Sequence, residues 1–159
     1  MNSKLDSYLV TKYPKLFIKR YEDMKSTAMC WGFECGDGWF WLLDNLCQSI
    51  QSYIDYNTHK NITQVTVEQV KEKFGGLRFY IEGGDDTIHG MISLAERMSY
   101  NICETCGSTE NIGQTSGWIK NICEDCAKLD TKSNWKKREI PQIEISKELR
   151  KIKLDKLNQ

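Results

Sequence analysis

Two short cysteine turns, Cys103-Glu104-Thr105-Cys106 and Cys123-Glu124-Asp125-Cys126, constrain this chain more than anything else in it. Each C-x-x-C turn can bring two thiolates to one metal ion. Two such turns separated by sixteen residues fall in the window expected of a structural zinc site. Cys103, Cys106, Cys123 and Cys126 would then close a thiolate tetrahedron with Zn–S bonds of about 2.3 Å and no open coordination position, which makes the Zn2+ structural. The competing arrangement is two disulfides or four separate buried thiols. Gly113 and Gly117 let the intervening chain fold back, and Trp118-Ile119 offers the cluster some apolar cover.

Composition narrows the rest. A chain of 159 residues suffices for one domain with a real core and a small appendage. Its formal net charge is zero, so no overall field demands nucleic acid or an anionic membrane. The balance is uneven, because the stretch from Lys132 carries nine basic residues against four acids. Of seven cysteines, Cys30, Cys35 and Cys47 are left over. An odd remainder, with neither a signal peptide nor a membrane-length apolar run, is expected of reduced thiols in a cytosol.

In chain order, Leu5, Tyr8, Leu9 and Lys12 predict a first helix that Pro14 interrupts. A glycine- and tryptophan-rich loop follows from Ala28 to Trp39, and its backbone is expected to approach something closely. Asp37 is placed to cap a helix over Gly38–Tyr56, whose Phe40, Leu43, Leu46, Cys47, Ile50 and Ile54 form one buried stripe. Beyond the connection at His59, Gly75-Gly76 between alternating runs predicts a two-residue hairpin turn. Phe74 then faces Leu77, Glu72 faces Phe79 and Val70 faces Ile81. The opposite side gathers Lys71, Lys73, Arg78 and Tyr80 into a basic and aromatic face, or into an ordinary solvated one. Glu72 falls on the apolar side. Either a β-bulge turns it outward, or a ligand or an arginine engages it. Asp85-Asp86 offers a cap for a last core helix bearing Ile88, Met91, Ile92, Ala95, Met98 and Ile102, which runs straight into Cys103.

The expected fold is therefore α+β: a small antiparallel sheet around the hairpin, helices on one face, and a fused zinc ribbon. Residues 1–102 form the core, 103–130 the ribbon, and 131–159 a basic, partly detached C-terminal helix that docks on the body or on a second copy. No nucleophile elbow, Walker loop, dinucleotide turn or H-E-x-x-H motif supports catalysis. Cys30, Cys35 and Cys47 with His59 fit no tight metal turn. Binding is better supported, with Trp31 and Trp39 supplying aromatic platforms and Lys71, Glu72, Lys73, Arg78 and Tyr80 the polar side of a site for a small nucleotide-like anion. Core packing of Trp39 and Trp41 is the simpler alternative.

Cys35-Gly36-Asp37-Gly38-Trp39-Phe40, then Gln69 to Tyr80, then the paired cysteine turns with Gly117-Trp118 between them, together resemble a family of small uncharacterised proteins of tailed phages and prophages. The resemblance spans roughly Lys15 to Ala127. It implies a phage-type accessory protein in the host cytoplasm, acting against a host defence by sequestering a nucleotide signal or by gripping a host protein. A zinc-ribbon module binding a host protein or, at lower rank, nucleic acid is the second expectation, and a nucleotide hydrolase the third.

Overall fold

A computed structural model describes residues 1–57, 62–130 and 134–139. Helix α1 (Ser3–Lys12) starts where the Asn2 side chain accepts from the Lys4 and Leu5 amides, and it ends ahead of Pro14. Leu9 goes into the core from its inner face, followed by Leu16 and Phe17 from the next turns. Short 3-10 turns at Ile18–Tyr21 and Ala28–Trp31 lead to the two-residue strand β1 (Phe33–Glu34). An ion pair between half-buried Arg20 and buried Asp6 anchors this segment. Arg20 also donates to the Cys30 carbonyl, and Asp6 accepts from the Phe33 amide.

Helix α2 (Phe40–Tyr56) buries the stripe expected of it, from Phe40 through Leu43, Leu46, Cys47 and Ile50 to Ile54. Its start differs from expectation. Asp37 caps nothing; a 3-10 turn over Asp37–Trp39 leads into the helix, and both Asp37 oxygens accept from Asn2 at 2.7 Å. That contact holds the carboxyl below the usual carboxylate range and ties the loop to the start of α1.

Strands β2 (Thr66–Lys73) and β3 (Gly76–Glu82) form the antiparallel hairpin, and β1 joins β2 in parallel, giving a mixed sheet in the order β1-β2-β3. The turn lies one residue earlier than the glycine pair suggests. Phe74 and Gly75 are its central residues, both with positive φ (54° and 78°), as a type I′ turn requires. Glu72 therefore faces Leu77, Lys71 faces Arg78 and Val70 faces Phe79. This register is two residues from the expected one, so every side chain keeps its face. A bulge does occur, but between Val67 and Gln69 and not at Glu72; it brings Val67 and Val70 to the same buried side.

Helix α3 (Asp86–Ser99), capped by Asp85 through the Ile88 amide, packs Ile88, Ile92 and Ala95 into the same core as α2. It also covers the outer edge of β3. Ser99 Oγ accepts from the Leu77 amide at 2.9 Å and Glu96 from the Phe79 amide at 3.0 Å. Donors that would otherwise invite another strand are thereby satisfied.

The ribbon is a second sheet, order β5-β4-β6, of β4 (Ile112–Thr115), β5 (Asn121–Cys123) and β6 (Trp135–Lys137), with the short helix α4 (Glu124–Leu129) after β5. Strand β6 belongs to the segment expected to be detached, yet it pairs with β4 along its length. The amphipathic C-terminal pattern from Ile143 onward lies outside the described residues. Among the described residues no helix is long and apolar enough to cross a membrane.

Body and ribbon meet backbone to backbone. A Cβ on Gly36 would lie 2.2 Å from the Glu104 carbonyl oxygen, and one on Gly38 would lie 2.2 Å from that of Cys103. The Gly38 amide donates to the Glu104 carbonyl at 2.8 Å, and the Glu104 carboxylate accepts from the Gly36 amide at 2.9 Å. The close approach expected of the glycine-rich loop is thus an approach to the first cysteine turn. Gly38→Ala is expected to lower the unfolding free energy by about 2 kcal/mol, because backbone atoms would have to move. Gly90→Ala, with open space around its Cβ in α3, should raise it by about 0.5–1 kcal/mol. Urea denaturation of both variants checks the contrast, and equal effects would remove the seam's special status.

Candidate metal centre and the cleft beside it

The four cysteines of the paired turns converge. Their sulfurs all lie within 4.8 Å of one another, with Cys106 Sγ 3.7 Å from Cys123 Sγ. A tetrathiolate site with bonds of about 2.3 Å has sulfur–sulfur edges of about 3.8 Å, so the donor set fits a metal ion. No pair is at bonding distance, and all seven cysteines are free. Among the described residues this is the one group of three or more His, Cys, Asp and Glu side chains placed to hold a metal. His59 lies outside the described residues, while burial pushes the Cys35 thiol up to about 12 and the Cys47 thiol up as well, which leaves both protonated.

Local folding prepares the site. In the second turn Cys123 precedes α4, and its sulfur accepts from the Cys126 amide. In the first, burial raises the Cys103 thiol, and the amides of Cys123, Cys106 and Thr105 more than offset this, so its pKa is lowered overall. Cys103 and Cys123 are buried, Cys126 is half-buried and Cys106 is exposed. The apolar cover comes from Ile112, Ile122, Ala127 and, at the side, Trp135. Trp118 gives none, being 79% exposed.

Asn121 locks the centre to the body. Fully buried, it donates to the carbonyls of Ser99, Tyr100 and Ile102, at and just beyond the end of α3, and its oxygen accepts from Arg138. Its backbone carbonyl accepts from the Glu104 amide. Arg138 donates as well to the Tyr100 carbonyl, with its guanidinium 5.9 Å from that ring's centroid. Sequence reasoning missed both residues, since a single Asn or Arg in a polar stretch carries no periodic signal.

The residues expected to bind a ligand divide. Trp39 is 0% exposed and its indole N–H donates to the Ile102 carbonyl, so it is a core residue fastening the seam and presents no face to a ligand. Trp31 is 63% exposed, two residues ahead of β1. Trp41, the other core candidate, is 69% exposed. Lys71, Lys73, Arg78 and Tyr80 do share the open face of the hairpin. Lys71 Nζ lies 5.6 Å from the Tyr80 ring centroid. Arg78 turns away to the edge, donating to the Leu77 carbonyl and the Tyr100 hydroxyl within 4.0 Å of Glu96. Glu72 is half-buried, and its Oε1 accepts from the Gly75 amide at 2.6 Å. Neither a bulge nor an arginine explains it; the turn does.

A cleft of about 250 Å³ opens where the hairpin tip meets the ribbon turn, lined by Glu72, Lys73, Phe74, Gly117, Trp118 and Ile119. Phe74 is 68% exposed, and Lys73 Nζ sits 5.7 Å from its ring centroid. Nearby, burial pushes the Glu104 carboxyl above the usual carboxylate range; the Gly36 amide pulls against this, and the charge of Glu72 adds to it. Phe74 and Trp118 were absent from the expected site because Phe74 reads in sequence as a strand residue on the apolar face of the hairpin and Trp118 as cover for the cysteines.

Comparison of the chain with protein-family models, with curated proteins and with solved structures finds no match in any of the three.

The purified chain is expected to carry one metal ion, and Cys106→Ser should lose it. Chelation should strip exchange protection from the Gly38 and Glu104 amides while that of the β2–β3 pairing survives. Hydrogen exchange with and without chelator reads this, and a pattern indifferent to chelation would detach the seam from the metal.

Proposed function

We propose that this chain is a zinc-stapled, non-enzymatic binding protein that captures a small nucleotide-type anion in the cleft between hairpin tip and ribbon. The observation carrying the reading is the exposed pair Phe74 and Trp118 lining one cleft with Lys73 beside them. Aromatic faces stack bases at about 1–3 kcal/mol each, and an ammonium group receives phosphate. The cleft replaces the Trp31–Trp39 loop as the aromatic half of the site, while Lys71 and Tyr80 extend it along the open sheet face.

Phe74 strengthens the case. A bulky residue held at φ 54° costs of order 1–3 kcal/mol, and asparagine would suit the position better. Retaining an aromatic ring there, exposed to solvent, favours a role in contact over a role in folding.

Zinc is the metal favoured by four soft thiolates in a tetrahedron, and with no open position its role is structural. Reduced free thiols suit a cytosol. The phage-type resemblance gives such capture a use, the removal of a host's nucleotide signal by reversible one-to-one binding. The second reading, a module gripping a host protein, draws on the apolar groove between α2 and α3, where Leu94 and Met98 are exposed beside Leu42 and Met91.

Calorimetric titration with AMP, GMP, CMP and UMP tests the capture. At least one should bind with unit stoichiometry and without phosphate release. Trp118→Ala should weaken it by about tenfold or more, in keeping with the loss of one stacking face. Phe74→Asn should do the same while raising stability by about 1 kcal/mol through the better turn residue. Absence of binding to all four by the folded, metal-loaded chain would overturn the capture and move the weight to the groove.

A further inference from the structure

We infer that the base taken by this cleft is guanine, and that Glu72 selects it; the inference rests on the capture reading above and names its ligand. Glu72 lines the cleft from β2, two residues ahead of Phe74 in the turn. The Gly75 amide fixes its carboxylate through Oε1 at 2.6 Å, and Oε2 has no hydrogen-bond partner among the described residues. The cleft therefore holds an oriented anion with one acceptor oxygen to spare, and two exposed aromatic side chains line it as well.

An ionised carboxylate accepts hydrogen bonds and donates none. The Watson–Crick edges of the bases meet it differently. Guanine presents two adjacent donors, the N1–H and the N2 amino group. Adenine and cytosine each present one amino group beside a ring nitrogen whose lone pair repels the carboxylate. Uracil presents one N–H flanked by two carbonyls. Only guanine offers two adjacent donors with no acceptor between them. A base stacked on Phe74 or Trp118 with that edge toward Glu72 leaves its phosphate free to reach Lys73, whose ammonium already lies near the Phe74 ring. Lysine and glutamate in one small cleft, which would partly cancel for a simple anion, are thus each given a separate end of the same ligand.

The test titrates the full-length, metal-loaded chain with GMP, IMP, AMP, CMP and UMP. GMP should bind about tenfold or more tighter than AMP, CMP and UMP, the factor expected of a hydrogen bond to a charged acceptor. IMP, which keeps N1–H and lacks the amino group, should fall between. Glu72→Gln keeps an oxygen for the Gly75 amide and removes the charge; it should weaken GMP by about tenfold and leave the other three within about threefold. Its urea midpoint shows whether the turn is intact, and the selectivity of the unaltered chain decides the question if it is not. Binding of all five nucleotides alike, or a GMP preference that survives Glu72→Gln, overturns guanine selection and leaves the capture standing. No binding to any of them overturns both.

Discussion

The contact on which the rest of this structure depends is the backbone of Gly36–Gly38 laid against the first cysteine turn. No side chain separates the two segments, and a Cβ on either glycine would collide with a carbonyl oxygen. Such a contact cannot be adjusted by rotamer changes, so each partner must arrive with its shape already set. The cysteine turn takes its shape from its own backbone bonds, the Cys103 amide to the Ser108 carbonyl and the Gly107 amide to the Cys103 carbonyl. The loop takes its own from Trp39 anchored on Ile102 and from Asp37 held by Asn2. Body and ribbon therefore share one rigid junction, and a bound metal would stabilise residues well outside its ligand shell.

A second junction works through hydrogen bonds. The carbonyls at the end of α3 would be orphaned where the chain leaves the helix. Asn121 and Arg138 receive them from the ribbon side, one from β5 and the other just after β6. Gly76 leaves room for the Tyr100 ring, whose hydroxyl would crowd any Cβ there at 2.5 Å. The two motifs that stand out in the sequence, the Cys35–Trp39 loop and the Lys71–Tyr80 hairpin, are thus both surfaces against which the ribbon or the end of α3 is fitted. Their glycines are explained by packing before any ligand is invoked.

That distinction marks what the sequence could and could not convey. The paired cysteine turns, the buried stripe of α2 and the two faces of the hairpin were legible, because spacing and period alone define them. The register was not. A phenylalanine at positive φ is disfavoured, so the glycine pair drew the turn one residue too far along, and only the even size of the slip preserved the faces. The joining of β1 in parallel was hidden by its length of two residues. Trp39 and Trp41 look equivalent in a glycine-rich stretch, yet one lies inside the seam and the other on the outer side of α2. Close approach was foreseeable at Gly36 and Gly38; its partner, more than sixty residues away, was not.

The cleft inherits its properties from this construction. One lip, Phe74, belongs to the body and the other, Trp118, to the ribbon, so the opening between them is set by the seam and not by either unit alone. Anything that bridges the lips adds its binding free energy to the assembled junction, and whatever fixes the junction prepares the lips for binding. The two effects are the same coupling seen from opposite ends, and they must be equal. A structural metal can therefore govern affinity at a site it never touches. On the capture reading the strained backbone at Phe74 fits the same logic, since a ring held out at the hairpin tip is useful there only if the ribbon side of the cleft is held in place. On the capture reading, a bound metal, the glycine seam and the two exposed aromatics would form one device, in which rigidity at the cysteines is converted into preorganisation at the cleft.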